Sequence, residues 1–393
     1  MALAEGFPAD ALFHQSLLLG FGADNRPLQG KMAEKLKVIV CIPCLCLGGS
    51  EVATLQMVQA LAKDYDITVV CYYQHDDRMV ARYEATGAKV LLLEERHGGL
   101  KGLWRLLRRL VRLFKAERPA IVHGVYFAPG MIPLLAARMA GVPKVFATVH
   151  AAGGRGYGWK AKAMFRFSAM LTTHFFCVAE NTERFWFGRI GDSRHSTINN
   201  GIDLVAFANA NPIEIPSIAE DAPVVGIVGS VFKLKGHDCL FRAVKRLLPV
   251  YPKLVVLIVG EGRARPEFEK LAVELDISKH VIWAGRVEPE EIPRYCKCMD
   301  VLAMPSHWEG FGLAAAEAMA AGVPVAGSDV PGLREVIGDA GLLFPVDDDK
   351  ALADGLQELL SHLEEWSARA ESQVKKFALD VIQGKWRHAY SNL

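Results

Sequence analysis

The residues best equipped for chemistry lie near position 310, where Pro305-Ser306-His307-Trp308-Glu309-Gly310-Phe311-Gly312-Leu313-Ala314-Ala315-Ala316-Glu317 places two carboxylates eight positions apart around a glycine-bracketed turn. Gly310 and Gly312 permit tight or left-handed backbone and close approach of a ligand, and Leu313 to Met319 is strong helix former stopped by Gly322 and Pro324. The amides at such a helix start point outward unpaired and carry partial positive charge, which makes a seat for phosphate. Glu317 leans back toward that seat, because helical side chains tilt toward the N-terminus. Carboxylates repel phosphate, so two of them here need another task, and accepting hydrogen bonds from hydroxyls of ribose or sugar is the natural one. The pattern points to a nucleotide-sugar site.

Other segments suit the same ligand. Gly229-Ser230-Val231-Phe232-Lys233-Leu234-Lys235-Gly236-His237 follows an apolar strand and offers Lys235, with Lys233 nearby, to a diphosphate. Gly48-Gly49 follows the first strand, where backbone approaches phosphate without a side-chain clash. Val259-Gly260-Glu261-Gly262 and Gly285-Arg286-Val287 sit at further strand ends, with Arg286 placed to touch base or phosphate, and Pro331-Gly332-Leu333-Arg334-Glu335 follows the main helix. His150 ends the strand Phe146 to Val149 in front of Ala151-Ala152-Gly153-Gly154, a position belonging to a cleft. His123 has no assigned role and reads equally well as a satisfied strand-end histidine.

Apolar strand-like runs alternate with helical patterns along the chain, which predicts an α/β architecture of parallel sheets built from βαβ units. Strands are expected at 37–42, 67–72, 89–93, 121–123, 145–149 and 174–178, and again at 224–229, 254–259, 280–284, 301–304 and 323–326. The Asn/Pro/Glu-rich stretch 209–223 reads as a linker, so 31–208 and 224–373 form two Rossmann-like domains facing a cleft, after a leader, 1–30, expected to be poorly ordered.

The segment Glu309-Gly310-Phe311-Gly312-Leu313-x-x-x-Glu317-Ala318, followed by Ala321-Gly322-Val323-Pro324-Val325, resembles the signature of the retaining family-4 glycosyltransferases of GT-B fold, the glycosyl transferases group 1. The resemblance runs over roughly 36–390 and is strongest over 224–345; the family's Gly-Arg-x-x-x-x-Lys-Gly segment is matched at 229–236 with Ser230 in place of the arginine. It implies transfer of a sugar from a nucleoside-diphosphate sugar, a UDP-sugar, to an acceptor hydroxyl with retention, in cell-surface glycan, lipopolysaccharide or glycolipid synthesis. The acceptor is then a glycan, a lipid-linked sugar or a small molecule. Glu309 would hold hydroxyls of the transferred sugar, Glu317 the ribose, and His150 the donor sugar or reacting centre. Gly48, Gly49, Ser230, Lys235, Gly260, Arg286, Gly310, Phe311, Gly312 and Leu313 would complete the donor site, and the final helix, 374–393, would cross back onto the first domain. No metal or other cofactor is expected, and Asp347-Asp348-Asp349 reads as a cap to the helix beginning near Lys350. A sugar-nucleotide epimerase and a non-catalytic nucleotide-sugar-binding protein are the alternatives.

Lys+Arg 45 against Asp+Glu 44 gives no electrostatic case for nucleic acid. The eight cysteines are irregularly spaced and read as reduced thiols of a cytoplasmic protein, not as a metal clamp. No apolar run is long enough to span a bilayer. A basic amphipathic helix at 101–118 carries Leu100, Leu103, Trp104, Leu107, Leu110, Val111 and Phe114 on one stripe and Arg105, Arg108, Arg109, Arg112 and Lys115 opposite. That helix either covers a sheet or lies on the inner face of an anionic membrane.

Overall fold

Runs of β-branched and other apolar residues such as Val38-Ile39-Val40-Cys41-Ile42 and Val255-Val256-Leu257-Ile258-Val259 are buried along their whole length, the mark of strands covered on both faces. The computed structural model describes residues 35–46, 48–96, 98–125, 132–150 and 159–393, which belong to the compact unit Lys35–Leu393. The leader and the loop after His150 lie outside the described residues.

The first half runs β1 (Leu36–Ile42), α1 (Gly49–Leu61), β2 (Tyr65–Cys71), α2 (Asp77–Glu84), β3 (Lys89–Leu92), α3 (Gly99–Glu117), β4 (Ile121–Val125), α4 (Ile132–Ala140), β5 (Lys144–Val149), α5 (Trp159–Met170), β6 (His174–Cys177), α6 (Glu180–Phe187), β7 (His195–Thr197) and α7 (Leu204–Ala208). The second runs β8 (Val224–Val228), α8 (His237–Leu247), β9 (Val255–Val259), α9 (Arg265–Glu274), β10 (Val281–Gly285), α10 (Ile292–Cys296), β11 (Val301–Met304), α11 (Leu313–Ala320), β12 (Val325–Ser328), α12 (Pro331–Ile337), β13 (Leu342–Phe344), α13 (Asp349–Ser361), α14 (Leu363–Val374) and α15 (Leu379–Asn392). Seven strands pair in the order β3-β2-β1-β4-β5-β6-β7 and six in the order β10-β9-β8-β11-β12-β13, all parallel, so these are two Rossmann-like sheets. Strand order reverses beside β1 in one sheet and β8 in the other, and ligands of such sheets bind outside the strand ends at those points. Right-handed crossovers put α1 and α2 on one face of the first sheet and α3 to α6 on the other. Two separate cores, one per face, follow from this.

The chain crosses between halves twice, and the crossings are tied together: Ile202 N donates to Phe377 O at 2.8 Å and Leu379 N to Ile202 O at 2.8 Å. Beyond the second crossing, α15 lays Ile382, Trp386 and Tyr390 into the first core. There His123, fully buried, reaches the Tyr390 hydroxyl through Nδ1 at 2.5 Å and Thr148 Oγ1 through Nε2 at 2.7 Å. Burial pulls its imidazole down to about 3, so it stays neutral as a core ligand between sheet and helix.

Four features depart from the sequence expectation. The three-residue edge strands β7 and β13 were too short to carry a periodic signal. Phe207 on α7 packs into the second half's core, and Ile215 and Ile218 of the expected linker, 209–223, pack against the same core. The final helix expected over 374–393 begins only at Leu379, because Ala378 takes extended backbone (φ −53°, ψ 138°) while Phe377 is buried beside it. On α3 the core-facing residues are Leu106, Leu107, Leu110 and Phe114, whereas Leu100 and Trp104, on the same apolar stripe in sequence, are exposed by 84% and 62%.

Candidate functional site

The turn after β11 is fixed by close approaches that only glycine permits. Gly312 caps α11 at φ +93°, and a Cβ there would stand 2.6 Å from Leu333 Cδ2. The amides of Leu313 and Ala314 have no acceptor among the described residues, so the start of α11 is open. It faces the start of α1: a Cβ on Gly49 would meet Leu313 Cδ2 at 3.4 Å. The starts of the two helices, one from each half, therefore lie close together, that of α11 open and that of α1 carrying the buried Glu51 carboxylate beside Gly48.

Glu309 lies beside this point with its carboxylate organised in advance. Oε1 accepts from Ser306 Oγ at 2.8 Å and from Lys235 Nζ at 2.5 Å, while Oε2 has no partner among the described residues. The lysine is brought there by docking of 233–236 onto the β11 loop: His307 N donates to Leu234 O at 2.9 Å, and a Cβ on Gly236 (φ +68°) would lie 2.0 Å from Pro305 O. Glu309 is 11% and Lys235 30% exposed at the side chain, so the pair is sheltered yet reachable from the cleft. The spacing of the two segments did not reveal this ion pair. Ser306, three residues before Glu309, carries no sequence signal of this bond, because its reach depends on how the loop folds.

Glu317 retains some accessible surface but is enclosed by protein, and burial pushes its carboxyl up to about 8. Its carboxylate has no hydrogen-bond partner among the described residues. Between its ordinary value near 4.5 and about 8 the folded chain holds a proton that the unfolded chain releases, so folding weakens as pH rises through this window. Glu317→Gln removes that penalty. Thermal melts should show no advantage for the variant at pH 4.5 and one on the order of a few kcal/mol at pH 8.5, and parallel melting curves at both pH values would contradict the assignment.

Other sequence-predicted residues fall into different roles. Gly260 (φ +142°) spends its amide on Gly285 O at 2.8 Å, and a Cβ there would overlap Gly229 O at 1.9 Å, so it locks strand-end loops together. The Phe311 ring is buried edge-on against Phe377 at 5.2 Å, which makes it a core anchor of the loop. Ser230 is exposed on the loop after β8. Arg286 is exposed at the end of β10, beside a strap of ion pairs between the halves: Arg78 meets Glu288, and Arg82 meets Glu290 at 2.7 Å. Arg78, with a smaller contribution from Arg286, holds Asp76 at the foot of that strap down to about 2.

Glu335 accepts from Asn199 Nδ2 at 2.7 Å, and Asn181 Nδ2 donates to Pro331 O at 2.8 Å, so the predicted Pro331 to Glu335 element joins the halves. Glu335 Oε2 is buried with no hydrogen-bond partner among the described residues, and burial raises its carboxyl. Asn199 carries no sequence signal for this joint. His150 closes β5 and lines a cavity of about 10 Å³ with Thr148, Gln56, Asn199 and Trp386. Burial draws it down to about 4, leaving a neutral imidazole. Asp348 caps α13 by accepting from Ala351 N at 2.9 Å, and no cluster of three metal-ligating side chains occurs among the described residues.

Comparison with known proteins divides along the same line as the sheets. The family Glycosyltransferase Family 4 matches residues 47–205 and the family Glycosyl transferases group 1 matches 211–376. A D-inositol 3-phosphate glycosyltransferase of Corynebacterium urealyticum is 36% identical over 194 residues, 46% of each chain, so the match spans under half that relative's length. An Escherichia coli UDP-Gal:alpha-D-GlcNAc-diphosphoundecaprenol alpha-1,3-galactosyltransferase is 27% identical over 308 residues, 73% of this chain and 77% of its own. The crystal structure of Anabaena HepE in complex with UDP and glucose superposes with a TM-score of 0.76 at 16% identity, covering 91% of this chain and 100% of that one. With one glycosyltransferase family laid over each sheet, the two together spanning 47–376, and with the two-sheet fold shared with the HepE structure, the chain belongs to the family-4, group 1 glycosyltransferases of GT-B fold.

Proposed function

We propose that the protein transfers a sugar from a UDP-sugar to an acceptor hydroxyl with retention of anomeric configuration, in the assembly of a cell-surface glycan, lipopolysaccharide or glycolipid. The observation that carries this reading is the pair of carboxyl groups around the open start of α11: among the described residues Glu309 is bonded through one oxygen only, and the Glu317 side chain has no hydrogen-bond partner. A diphosphate takes the amides of α11 and the Gly48-Gly49 turn, Glu309 Oε2 accepts from sugar hydroxyls, and Glu317 accepts from the ribose diol. Lys235 is shared between Glu309 and the phosphates, and helps stabilise the negative charge that grows on the leaving diphosphate. His150, as a neutral donor, reaches the transferred sugar. The reaction as proposed needs no metal.

The named donor and acceptor of the E. coli relative, a UDP-sugar and a lipid-linked diphosphate sugar, support the same classes here. Membrane association through 101–118 fits such an acceptor. No helix among the described residues is long and apolar enough to cross a membrane. An array of UDP-, GDP- and ADP-sugars against lipid-linked, lipopolysaccharide-type and small acceptors tests the proposal. Nucleoside diphosphate should appear only with donor and acceptor together, and inverted product linkage would defeat the retaining assignment. Ser230 and the occupied Lys235 favour one second reading, a nucleotide-sugar-binding protein without turnover; it predicts donor binding with no nucleotide release under any pairing.

A further inference from the structure

Helix α5 is held to the first sheet chiefly through Phe165 and Ser168 and turns an unusual face to solvent. Trp159, Phe167 and Met170 are exposed by 76%, 53% and 66%, and at 100° per residue they fall with Ala163 within a sector of about 80°. Lys162 and Arg166 flank that sector on one side and Lys160 on the other, all exposed. An apolar strip edged by cations matches the boundary between acyl chains and anionic headgroups.

The cationic flank continues into a groove of about 630 Å³ between α5 and α6, where Lys162 and Arg166 face Arg189 and Arg194. Asp192, the single acidic residue among its described lining, is engaged by Arg189, Ser193 and the Arg194 amide. Arg166 has no hydrogen-bond or ion-pair partner among the described residues. This is a seat for a phosphate that the protein itself does not fill. On the same face of the sheet, exposed Leu100 and Trp104 head α3, where Arg108 and Arg112 have no carboxylate partner among the described residues. Both helices begin at the carboxyl ends of their preceding strands, so Trp104 and Trp159 stand at the cleft edge of this layer.

We propose that α5, with the α5–α6 groove, is a membrane-binding surface for anionic phospholipid: Trp159, Phe167 and Met170 enter the interface, and Lys162 and Arg166 take a headgroup phosphate. The inference extends the association proposed for 101–118 by a second helix, and orients the cleft mouth along the bilayer. It is tested without donor or acceptor, so its failure leaves the sugar-transfer reading standing.

In co-sedimentation with vesicles of phosphatidylcholine plus phosphatidylglycerol, the full chain should bind, and with phosphatidylcholine alone it should not. Lys160→Glu/Lys162→Glu/Arg166→Glu and Trp159→Ser/Phe167→Ser/Met170→Ser should each weaken binding at least about tenfold while melting like the parent. A blue shift of tryptophan fluorescence on adding vesicles, diminished in Trp159→Phe, is the second readout. Wild-type binding by both triple variants, loss of binding only in Arg108→Glu/Arg112→Glu, or absence of binding by the parent would each overturn the proposal.

Discussion

Glu309→Ala should lower kcat/KM for sugar transfer by about 10²–10³-fold while the protein remains folded. The carboxylate is positioned before any ligand arrives, by Ser306 and Lys235 on one oxygen, so its free oxygen needs no reorganisation to receive a hydroxyl. Removing it also releases Lys235, whose ammonium then swings without a fixed partner beside the leaving diphosphate. Folding should suffer little, because Lys235 is 30% exposed and stays hydrated once unpaired. Glu309→Gln keeps the shape and weakens the lysine tether, and should fall between parent and alanine variant. Steady-state kinetics with saturating acceptor decide the matter: turnover of Glu309→Ala within a few-fold of the parent would remove Glu309 from the reaction.

The largest expected loss of stability comes from a residue far along the chain from the core it completes. Trp386, 5% exposed on α15, packs on Phe176 at 4.9 Å between ring centroids and lies beside His123 at 6.0 Å. Trp386→Ala should destabilise the protein by about 3–5 kcal/mol, because the sheet beneath cannot collapse into the space left. Tyr390→Phe, which strips the hydroxyl from His123 Nδ1, should remove about 1–3 kcal/mol by leaving a buried ring nitrogen unsatisfied. Denaturant unfolding measures both, and a Trp386→Ala loss below 1 kcal/mol would mean that α15 is not integral to the first core.

The parts of this molecule legible from sequence are those where one residue type answers one local demand. Gly312 at φ +93°, the continuous apolar run of β9 and the Asp348 cap each declare themselves within a few positions. The helix that carries Glu317 is equally legible, since Leu313 to Met319 is strong helix former closed by Gly322. What stayed hidden depends on distant segments meeting. Lys235 and Glu309 are far apart in sequence, and only the docking of Gly236 on Pro305 shows that they bind each other. Nothing local to Gly260 announces that its amide bonds Gly285 O across two strand ends. Trp104 shares the helical period of the buried Leu107 and Phe114, yet it is 62% exposed. A period tells which residues share a face and not what that face meets.

The double crossing between halves has a consequence for synthesis. Residues 35–202 leave the ribosome with their strands complete but with the trough along α1 still empty, since Ile382, Trp386 and Tyr390 have yet to be made. The second half, whose sheet spans 224–344, emerges before that missing helix does. The half translated first is thus the half completed last, and until residue 390 is free a nascent chain shows apolar surface to whatever waits outside the exit tunnel.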